Sequence, residues 1–368
     1  MALSTSKRLG QATLEPCRFG QLTGWADDDH SAAYEAFLKS AGKMVEKPYR
    51  SVSTYFEADQ LISCAKKALK AGRLDAMASR DFFEAHFTPN RIVPKNGASG
   101  FMTGFYEPVV EASSAETHEF KYPLYKRPAE LIDVNDANRP ASMDVSFRYG
   151  CMKDGVVAPY FTRSEIQNGV LEGRELELVW LKDKTDVFFI HVQGSARLDM
   201  TDGSTRRLTY AAKSGHPYTS VAKILCAQTG ISAEEMTSDK LADWMRSNPA
   251  KIDDLLAHNQ SYIFFKEVDD LTTEEGPVAA AKVPLTAGRS MAVDRELHTF
   301  GLPFWINTKK PLPNQQVGLA RLWIAQDTGS AIVGAARGDL FMGSGQQPGL
   351  VAGRIRHDAD LTVLVPTP

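Results

Sequence analysis

The stretch Arg321-Leu-Trp-Ile-Ala-Gln-Asp-Thr-Gly-Ser-Ala-Ile-Val-Gly-Ala-Ala-Arg-Gly-Asp-Leu-Phe-Met-Gly-Ser-Gly345 organises the sequence. Two short apolar runs in it, residues 322–325 and 331–333, are typical of buried strands. Each run leads into a glycine-rich turn that carries an aspartate, Asp327 or Asp339. Carboxylates held at the ends of buried strands suit acid/base chemistry, although aspartates also form turns for structural reasons alone. The rest of the chain must decide between these two interpretations.

The tetrapeptide Asp-Thr-Gly-Ser at residues 327–330 matches the catalytic turn of aspartic proteases. That mechanism needs two such carboxylates sharing one proton. Neither a second Asp-Thr-Gly nor an Asp-Ser-Gly occurs anywhere in the 368 residues. A single-chain aspartic protease is therefore disfavoured, and only a symmetric homodimer would preserve that interpretation.

Length and composition predict a soluble protein of about two domains. The sequence has 43% hydrophobic residues, 24% charged residues and a formal net charge of −3. The absence of a basic run argues against nucleic acid as a partner, because phosphate binding needs clustered positive charge. An anionic, polymeric or neutral small substrate remains possible.

Residues 1–10 contain no apolar core of a leader, so no signal peptide is visible in the sequence as given, and no apolar run is long enough for a transmembrane segment. If the native protein is exported, we expect this numbering to start after a removed leader. The four cysteines are far apart and form no cluster with histidine, which favours buried free thiols, argues against a zinc site and leaves disulfides open. They are Cys17, Cys64, Cys151 and Cys226.

The first hundred residues have mostly helical patterns. The Asp-Asp-Asp-His run at 27–30 precedes an apolar stripe at helical spacing, which favours a helix cap over a metal site. A second helix is predicted over 58–71, ending at Gly72, and a third over 79–87.

Short β-like segments follow, and residues 218–258 return to helical patterns before the chain becomes β-rich again. One predicted strand, residues 187–192, leads into a polar turn that presents Gln193, Ser195 and Arg197. We interpret His191 within it as a core histidine rather than a catalytic base. Many short strands without βα alternation predict a small barrel, with the β-rich middle inserted between the first and last thirds.

Seven blocks occur in order along the chain, at residues 104–108, 160–166, 191–198, 259–265, 292–294, 327–332 and 337–341. Together they resemble the membrane-bound lytic murein transglycosylase A family, whose C-terminal part is a three-aspartate domain. The resemblance covers roughly residues 20 to 366.

The resemblance implies a mainly β fold with α-helices. A double-psi β-barrel domain with N-terminal helices is expected from residues 1–110 and 259–368, and a smaller β-rich domain is inserted at 111–258. A glycan groove is expected between the two domains. The implied protein is a monomer of the bacterial periplasm, associated with the outer membrane.

The implied activity is that of a peptidoglycan lytic exotransglycosylase, a lyase that needs no cofactor or metal. It cleaves the β-1,4 bond between N-acetylmuramic acid (MurNAc) and N-acetylglucosamine (GlcNAc) without water and leaves a 1,6-anhydro ring on MurNAc. The partner implied is the glycan strand of peptidoglycan.

The same resemblance implies roles for individual residues. Asp339 matches the catalytic aspartate, Asp327 its supporting neighbour, and Asp294 a structural aspartate. Ser330 replaces a glycine of the family motif, which puts the backbone of that turn in question. Residues expected to bind substrate are Tyr106, Glu107, Arg163, Gln193, Gly194, Ser195, Thr328 and Gly329, although Tyr106, Arg163, Gln193 and Ser195 are equally suited to fixing their local turns.

A transglycosylase can use one carboxylate, because the attacking group is the sugar's own C6 hydroxyl. We hypothesise that Asp339 first donates a proton to the glycosidic oxygen and then accepts the C6 hydroxyl proton. Two alternatives remain. Glu107 and Asp339 together could form a hydrolytic muramidase, or the barrel could bind glycan without catalysis.

Overall fold

The computed structural model describes residues 7–268, 272, 275–313 and 316–367 of the chain. Its internal contacts divide the chain into two units, residues 1–106 with 272–368, and residues 107–271. Both ends of the chain therefore belong to the first unit, and the second unit is inserted between them. The fold is mixed α/β.

The N-terminal segment contains the predicted helices. The helix predicted over Ala58–Ala71 is confirmed with those bounds, and Gly72, at φ 71°, follows its last residue. The first helix begins at His30, where the Asp29 carboxylate accepts a hydrogen bond from the backbone N–H of Ser31 at 3.1 Å. The elements are β1 (Lys7–Leu9), β2 (Ala12–Pro16), α1 (His30–Glu46), α2 (Ala58–Ala71), α3 (Ala76–His86), β3 (Phe87–Pro94) and β4 (Gly100–Glu107), with 3-10 turns at Phe19–Gln21 and Trp25–Asp27.

The second unit contains three small sheets and five helices within its described residues. Its elements are β5 (Val109–Ala112), β6 (Tyr122–Tyr125), β7 (Ile132–Asp133), β8 (Tyr149–Lys153), β9 (Val156–Ala158), α4 (Arg163–Gln167), β10 (Glu177–Leu181), α5 (Lys184–Gln193), β11 (Ser195–Met200), β12 (Thr205–Lys213), α6 (Val221–Thr229), α7 (Ser238–Ser247), α8 (Ile252–Ala257, after a 3-10 turn at Pro249–Lys251) and β13 (Ile263–Glu267). The sheet orders are β13-β12-β11-β5, β10-β6 and β7-β8-β9. Strand β13 pairs with β12, so the second unit continues beyond the boundary expected at residue 258.

The strand predicted over residues 187–192 is wrong. These residues lie in helix α5, which starts after Asp183 and ends at Gly194. The Asp183 carboxylate accepts from the N–H of Thr185 at 2.8 Å, and Gly194 adopts the left-handed conformation at φ 77° that commonly ends helices. A short apolar run does not distinguish a buried strand from a buried helix, and the two caps determine the outcome here.

The C-terminal segment adds β14 (Ser290–Val293), β15 (Pro303–Pro311), β16 (Gly318–Asp327), β17 (Arg337–Ser344), α9 (Gln346–Ala352) and β18 (Arg356–Pro366). With strands from the N-terminal segment it forms a nine-stranded sheet in the order β1-β2-β3-β18-β15-β16-β14-β17-β4. Strand β18 also pairs with β4, so the pairing of β18, β15, β16, β14, β17 and β4 returns to its starting strand.

The core of the first unit is built from both ends of the chain. Phe37 and Phe83 come from the N-terminal helices, and Trp305, Trp323 and Leu364 come from C-terminal strands. All five side chains are almost completely buried. Because neither segment encloses this apolar surface alone, we expect them to fold as one cooperative unit.

The four cysteines are free thiols; Cys17, Cys64 and Cys151 are buried and Cys226 is half-buried. Within the described part of the chain, no helix is both long and apolar enough to cross a membrane.

Replacing Gly100 should weaken the pairing of β4 with β18. An alanine Cβ there would overlap Leu361 and lie 2.8 Å from the carbonyl oxygen of Ala359. We expect Gly100→Ala to lower the free energy of unfolding by about 1–3 kcal/mol, measured by urea denaturation. Gly42→Ala is the matched control, because Gly42 lies within α1 with open space around it, and alanine should stabilise the helix by about 0.5–1 kcal/mol. Equal stability of the two variants would contradict the tight packing at Gly100.

Candidate active site

Strand β14 lies between the two strands that carry Asp327 and Asp339. Ala292 pairs with Asp327 of the parallel strand β16 and with Asp339 of the antiparallel strand β17. Residues paired in this way direct their side chains to the same face of a sheet. Both carboxylates therefore lie on one face with the small Ala292 between them, and two strand spacings place their Cα atoms about 10 Å apart.

A β-bulge at Gln326 sets this arrangement. Met291 pairs with Ala325, but the next residue, Ala292, pairs with Asp327, so Gln326 is an extra residue on β16. Such a bulge re-aims the side chains that follow it. In a regular ladder, Gln326 would lie beside Ala292 and Asp327 would face the opposite side.

The Gln326 side chain is completely buried and fixes the bulge to helix α1. Its Nε2 donates to the carbonyl oxygen of Ala36 and to the Ser40 hydroxyl, both at 2.8 Å. Its Oε1 accepts from the Ser290 hydroxyl at 2.5 Å. A buried amide with satisfied donors and acceptor resists rotation, because any other position would leave polar atoms unpaired.

An apolar cluster surrounds Ala292 and includes Phe105, Leu285, Ile332 and Phe341. Burial in this environment disfavours ionisation and raises the pKa of both aspartates. Asp327 and Asp339 differ in the groups that oppose this effect.

The pKa of Asp327 rises from 3.8 to about 6, mainly through burial and further through the negative charge of Asp339. Backbone N–H groups of Thr328 and Ala280 and the charge of Lys282 act in the opposite direction. The N–H of Ala280 lies 3.1 Å from Asp327 Oδ1.

The pKa of Asp339 is also raised by burial. The Thr103 hydroxyl, which donates to Asp339 Oδ1 at 2.5 Å, and the positive charge of Arg337 both lower it. Asp339 thus has a side-chain donor, whereas Asp327 has two backbone donors. The sequence interpretation missed Thr103 and Arg337, although Arg337 lies two residues before Asp339, which places both on one face of a strand.

Asp294 connects β14 to the loop between the two other aspartates. Its Oδ2 accepts from the N–H of Gly334 at 2.7 Å and its Oδ1 from the N–H of Glu296 at 3.0 Å. The Thr328 hydroxyl donates to the carbonyl oxygen of Val293 at 2.9 Å, which fixes the start of the same loop. These contacts hold the loop to the end of β14, and the structural role expected for Asp294 stays a prediction.

The strand predicted over residues 331–333 is wrong, and Asp339 lies inside β17 rather than at a turn. Val333 is 72% exposed, and the neighbouring Gly334 hydrogen-bonds to Asp294 instead of to a strand. Ser330 has no positive φ, so serine fits this backbone without left-handed strain.

Comparison with known proteins identifies the family. Profiles described as "MltA specific insert domain" and "3D domain" match residues 101–266 and 289–365. The crystal structure of a membrane-bound lytic murein transglycosylase from Agrobacterium tumefaciens is 40% identical, with a TM-score of 0.89, and covers 96% of this chain and 97% of that chain. The chain belongs to the membrane-bound lytic murein transglycosylase A family. The family resemblance predicted from the sequence is confirmed.

Two curated members of the transglycosylase A family show the same relationship. The Vibrio cholerae protein is 32% identical over 263 residues, which cover 69% of this chain and 62% of that protein. The Escherichia coli K12 protein is 30% identical over 274 residues, covering 72% of this chain and 66% of that protein. In both cases the chain spans less than two thirds of the relative's length.

Three of the residues that the family resemblance assigns to substrate binding lie in the first unit. Tyr106 is half-buried, and its ring packs so closely on α9 that a Cβ at Gly349 would lie 2.8 Å from Tyr106 Cε2. Thr328 is half-buried and Gly329 is exposed, directly after Asp327. Their substrate contacts stay predictions.

The other five assigned residues lie in the second unit. Gly194 ends α5, directly after Gln193, and the buried Ser195 begins β11. Glu107 has no exposed side-chain surface; its carboxylate oxygens lie 3.4 Å from Arg197 Nη2 and 3.8 Å from Arg207 Nη1.

Arg163 is 2% exposed and donates to the carbonyl oxygens of Asn259 and Ser261 at 3.0 and 2.7 Å. It also donates to Nδ1 of His191 at 3.1 Å. His191 is buried in a helix, in agreement with a core role but not with the predicted strand. The side chains of Arg163 and Glu107 thus stabilise the second unit in this structure.

The described residues contain no group of three or more histidine, cysteine, aspartate or glutamate side chains arranged to hold a metal ion.

The pH dependence of stability should report the Asp327 environment. Because its pKa is about 6 in the folded protein and near 3.8 when unfolded, the native state holds its proton more tightly. Its stabilising contribution is therefore complete below the unfolded pKa and is lost as the pH rises through about 6. Between about pH 4 and pH 7, the wild type should lose more unfolding free energy than Asp327→Asn in urea titrations.

Asp360→Asn, at an exposed position of the same unit, should behave as the wild type. Identical pH slopes for wild type and Asp327→Asn would refute the raised pKa.

Lys282, in the turn beside Asp327, has a left-handed backbone at φ 60°. Lys282→Gly should relieve this strain and increase the free energy of unfolding by about 0.5–1 kcal/mol. The same change should raise the pKa of Asp327, because a nearby positive charge is lost. Glu175→Gly, at φ 54° in the second unit, is the control: it should give a similar gain in stability and leave Asp327 unchanged. NMR titration of the carboxyl group and urea denaturation measure the two effects.

Proposed function

We propose that the protein is a lytic transglycosylase that cleaves the MurNAc-β-1,4-GlcNAc bond of peptidoglycan and forms 1,6-anhydroMurNAc ends. The observation that carries the proposal is the pair of half-buried aspartates on one face of the sheet, both with raised pKa. Membership of the transglycosylase A family supports the same reaction.

Asp339 acts as the general acid and then as the general base. Its raised pKa favours the protonated form that a general acid needs, and that proton moves to the bridging oxygen as the bond to C1 of MurNAc breaks. The resulting carboxylate accepts the proton of the C6 hydroxyl as O6 bonds to C1. Asp339 ends protonated, and no water is consumed.

Asp327 supports this cycle through its charge. The two carboxyl groups are coupled, because the negative charge of either one favours the protonated form of the other. An ionised Asp327 also stabilises the positive charge that develops at C1. The intramolecular attack by O6 needs no positioned water, because the nucleophile is already part of the bound sugar.

We further propose that the six strands β18, β15, β16, β14, β17 and β4 form a double-psi β-barrel, because their pairings close on themselves. The expected substrate and the relatives' description as membrane-bound support action in the periplasm, at the outer membrane. Thr328 and Gly329 are the first-unit residues proposed to contact the glycan, since they follow Asp327 directly.

The hydrolytic alternative needs Glu107 as a second catalytic carboxyl group. Its side chain has no exposed surface and lies between two arginines, as in a structural ion pair. The geometry therefore favours the mechanism with one acid. A glycan-binding barrel without catalysis would not need two carboxyl groups buried beside apolar side chains.

Product analysis tests the proposed reaction. Peptidoglycan digested by the wild type in ¹⁸O-labelled water should give 1,6-anhydro products without the label, identified by mass spectrometry. Labelled reducing ends would instead establish hydrolysis.

Asp339→Asn should lower the rate of lysis by roughly 100- to 10,000-fold, because an amide cannot donate the required proton. Peptidoglycan sedimentation should show that binding is retained. Asp360→Asn, at an exposed position of the same unit, should lyse at the wild-type rate. Unchanged lysis by Asp339→Asn would exclude Asp339 as the acid.

A further inference from the structure

Asp339 is the end of a short hydrogen-bonded chain that starts at Arg337. Arg337 Nη2 donates to Thr103 Oγ1 at 2.6 Å, and Thr103 Oγ1 lies 2.5 Å from Asp339 Oδ1. Thr103 is on β4, and the other two residues are on β17, two positions apart. Two adjacent strands of the first unit therefore supply the three hydrogen-bonded side chains.

The chemistry of the three groups fixes the direction of the hydroxyl proton. A guanidinium group has only donors, so Thr103 must accept from Arg337 with an oxygen lone pair. Its single proton is then directed at Asp339 Oδ1. In a carboxylic acid the carbonyl oxygen accepts a hydrogen bond better than the hydroxyl oxygen, so the bond from Thr103 to Oδ1 favours the form of Asp339 with its proton on Oδ2.

Oδ2 is the available oxygen of Asp339. Among the described residues, no donor is hydrogen-bonded to Oδ2, while Oδ1 is occupied by Thr103. Asp339 is half-buried, so the side chain retains accessible surface. A ligand beside the site would thus meet the oxygen that holds the proton.

Arg337 is itself held in place. Nη1 donates to the carbonyl oxygens of Gly338 and Phe101, and the guanidinium lies over the Phe101 ring, 5.4 Å from its centroid. No ion pair of Arg337 occurs within the part of the chain that the structure describes. Its positive charge therefore acts on Asp339 without being neutralised by a carboxylate in an ion pair.

We propose that Thr103 and Arg337 are positioning residues that keep the acidic proton of Asp339 on Oδ2 and stabilise the carboxylate left after proton transfer. The proposal rests on the proposed lytic transglycosylase function. The hydrogen bond from Thr103 strengthens when Asp339 ionises, because bonds to a charged acceptor are shorter and stronger. One carboxyl group can then serve as the acid in the first step and as the base in the second.

Other charged groups act on Asp339 in different ways. Asp327 is the nearest acidic neighbour across Ala292, and Lys282 lies beside Asp327. Neither is part of the hydrogen-bonded chain, so variants of Thr103 change the contact with Asp339 and leave these charges in place.

The test compares Thr103→Val with Thr103→Ser. Valine has nearly the shape of threonine and no hydroxyl group, whereas serine keeps the hydroxyl. Loss of a hydrogen bond to a charged group predicts a 10- to 100-fold lower kcat on peptidoglycan strands for Thr103→Val, at roughly unchanged KM. The alkaline limb of its pH-rate profile should move to higher pH, because the carboxylate has lost its donor. Thr103→Ser should have a kcat and an alkaline limb close to those of the wild type.

A second measurement does not depend on activity. NMR titration of the Asp339 carboxyl carbon should show a higher pKa in Thr103→Val than in the wild type, with Thr103→Ser close to the wild type. Arg337→Lys should also raise the pKa of Asp339, since the single nitrogen of lysine cannot replace both Nη2, which donates to Thr103, and Nη1, which donates to the carbonyl oxygens of Gly338 and Phe101. Thermal unfolding shows whether each variant is folded.

The possible results distinguish the positioning role of Thr103 from the proposed transglycosylase function. If the pKa of Asp339 is the same in wild type and Thr103→Val, or if kcat is unchanged, the positioning role is overturned. If the wild type forms no anhydro products while the pKa still responds to Thr103, the proposed function fails and the hydrogen-bonded chain stands.

Discussion

The pairing of Ala292 with both Asp327 and Asp339 is the constraint on which the candidate site depends. Side chains alternate between the two faces of β14. Met291 and Val293 pack in the main apolar core on one face, and Ala292 lies among the site residues on the other. A one-residue change of register on β16 would send Asp327 into that core. The bulge at Gln326 thus decides whether the first unit has two neighbouring carboxyl groups or one.

The bulge in turn depends on the other end of the chain. The amide of Gln326 binds the carbonyl oxygen of Ala36 and the hydroxyl of Ser40, which are 290 and 286 residues away in sequence. Helix α1 therefore does more than cover the sheet, since it supplies the partners that make the bulge favourable. This gives a physical reason why the N-terminal helices belong to the same unit as the C-terminal strands.

The sequence alone predicted a helix correctly where the local pattern contained both the apolar periodicity and the residue that ends the helix. Helix α2 has an apolar stripe and a terminal Gly72, and its bounds were predicted correctly. Residues 187–192 lacked a decisive period, and the deciding signals, Asp183 and Gly194, lie outside the apolar run. Asp327 and Asp339 were singled out from the apolar runs and glycine-rich turns around them, and the roles of the three aspartates came from the family resemblance. The bulge at Gln326 and the contact with Thr103 depend instead on strand register, which no local pattern specifies.

The two aspartates share one apolar cluster, so burial alone would give them the same role. Their remaining partners separate them. Asp327 is held by backbone N–H groups, which are fixed donors, and its position at the end of β16 keeps it beside a loop anchored by Asp294. Asp339 lies within a strand, and its partner is a hydroxyl group polarised by an arginine. The donors of both carboxyl groups bind more strongly as a proton leaves, but of these donors only the Thr103 hydroxyl is itself oriented by a positive charge, which fits the role of acid and then base proposed for Asp339.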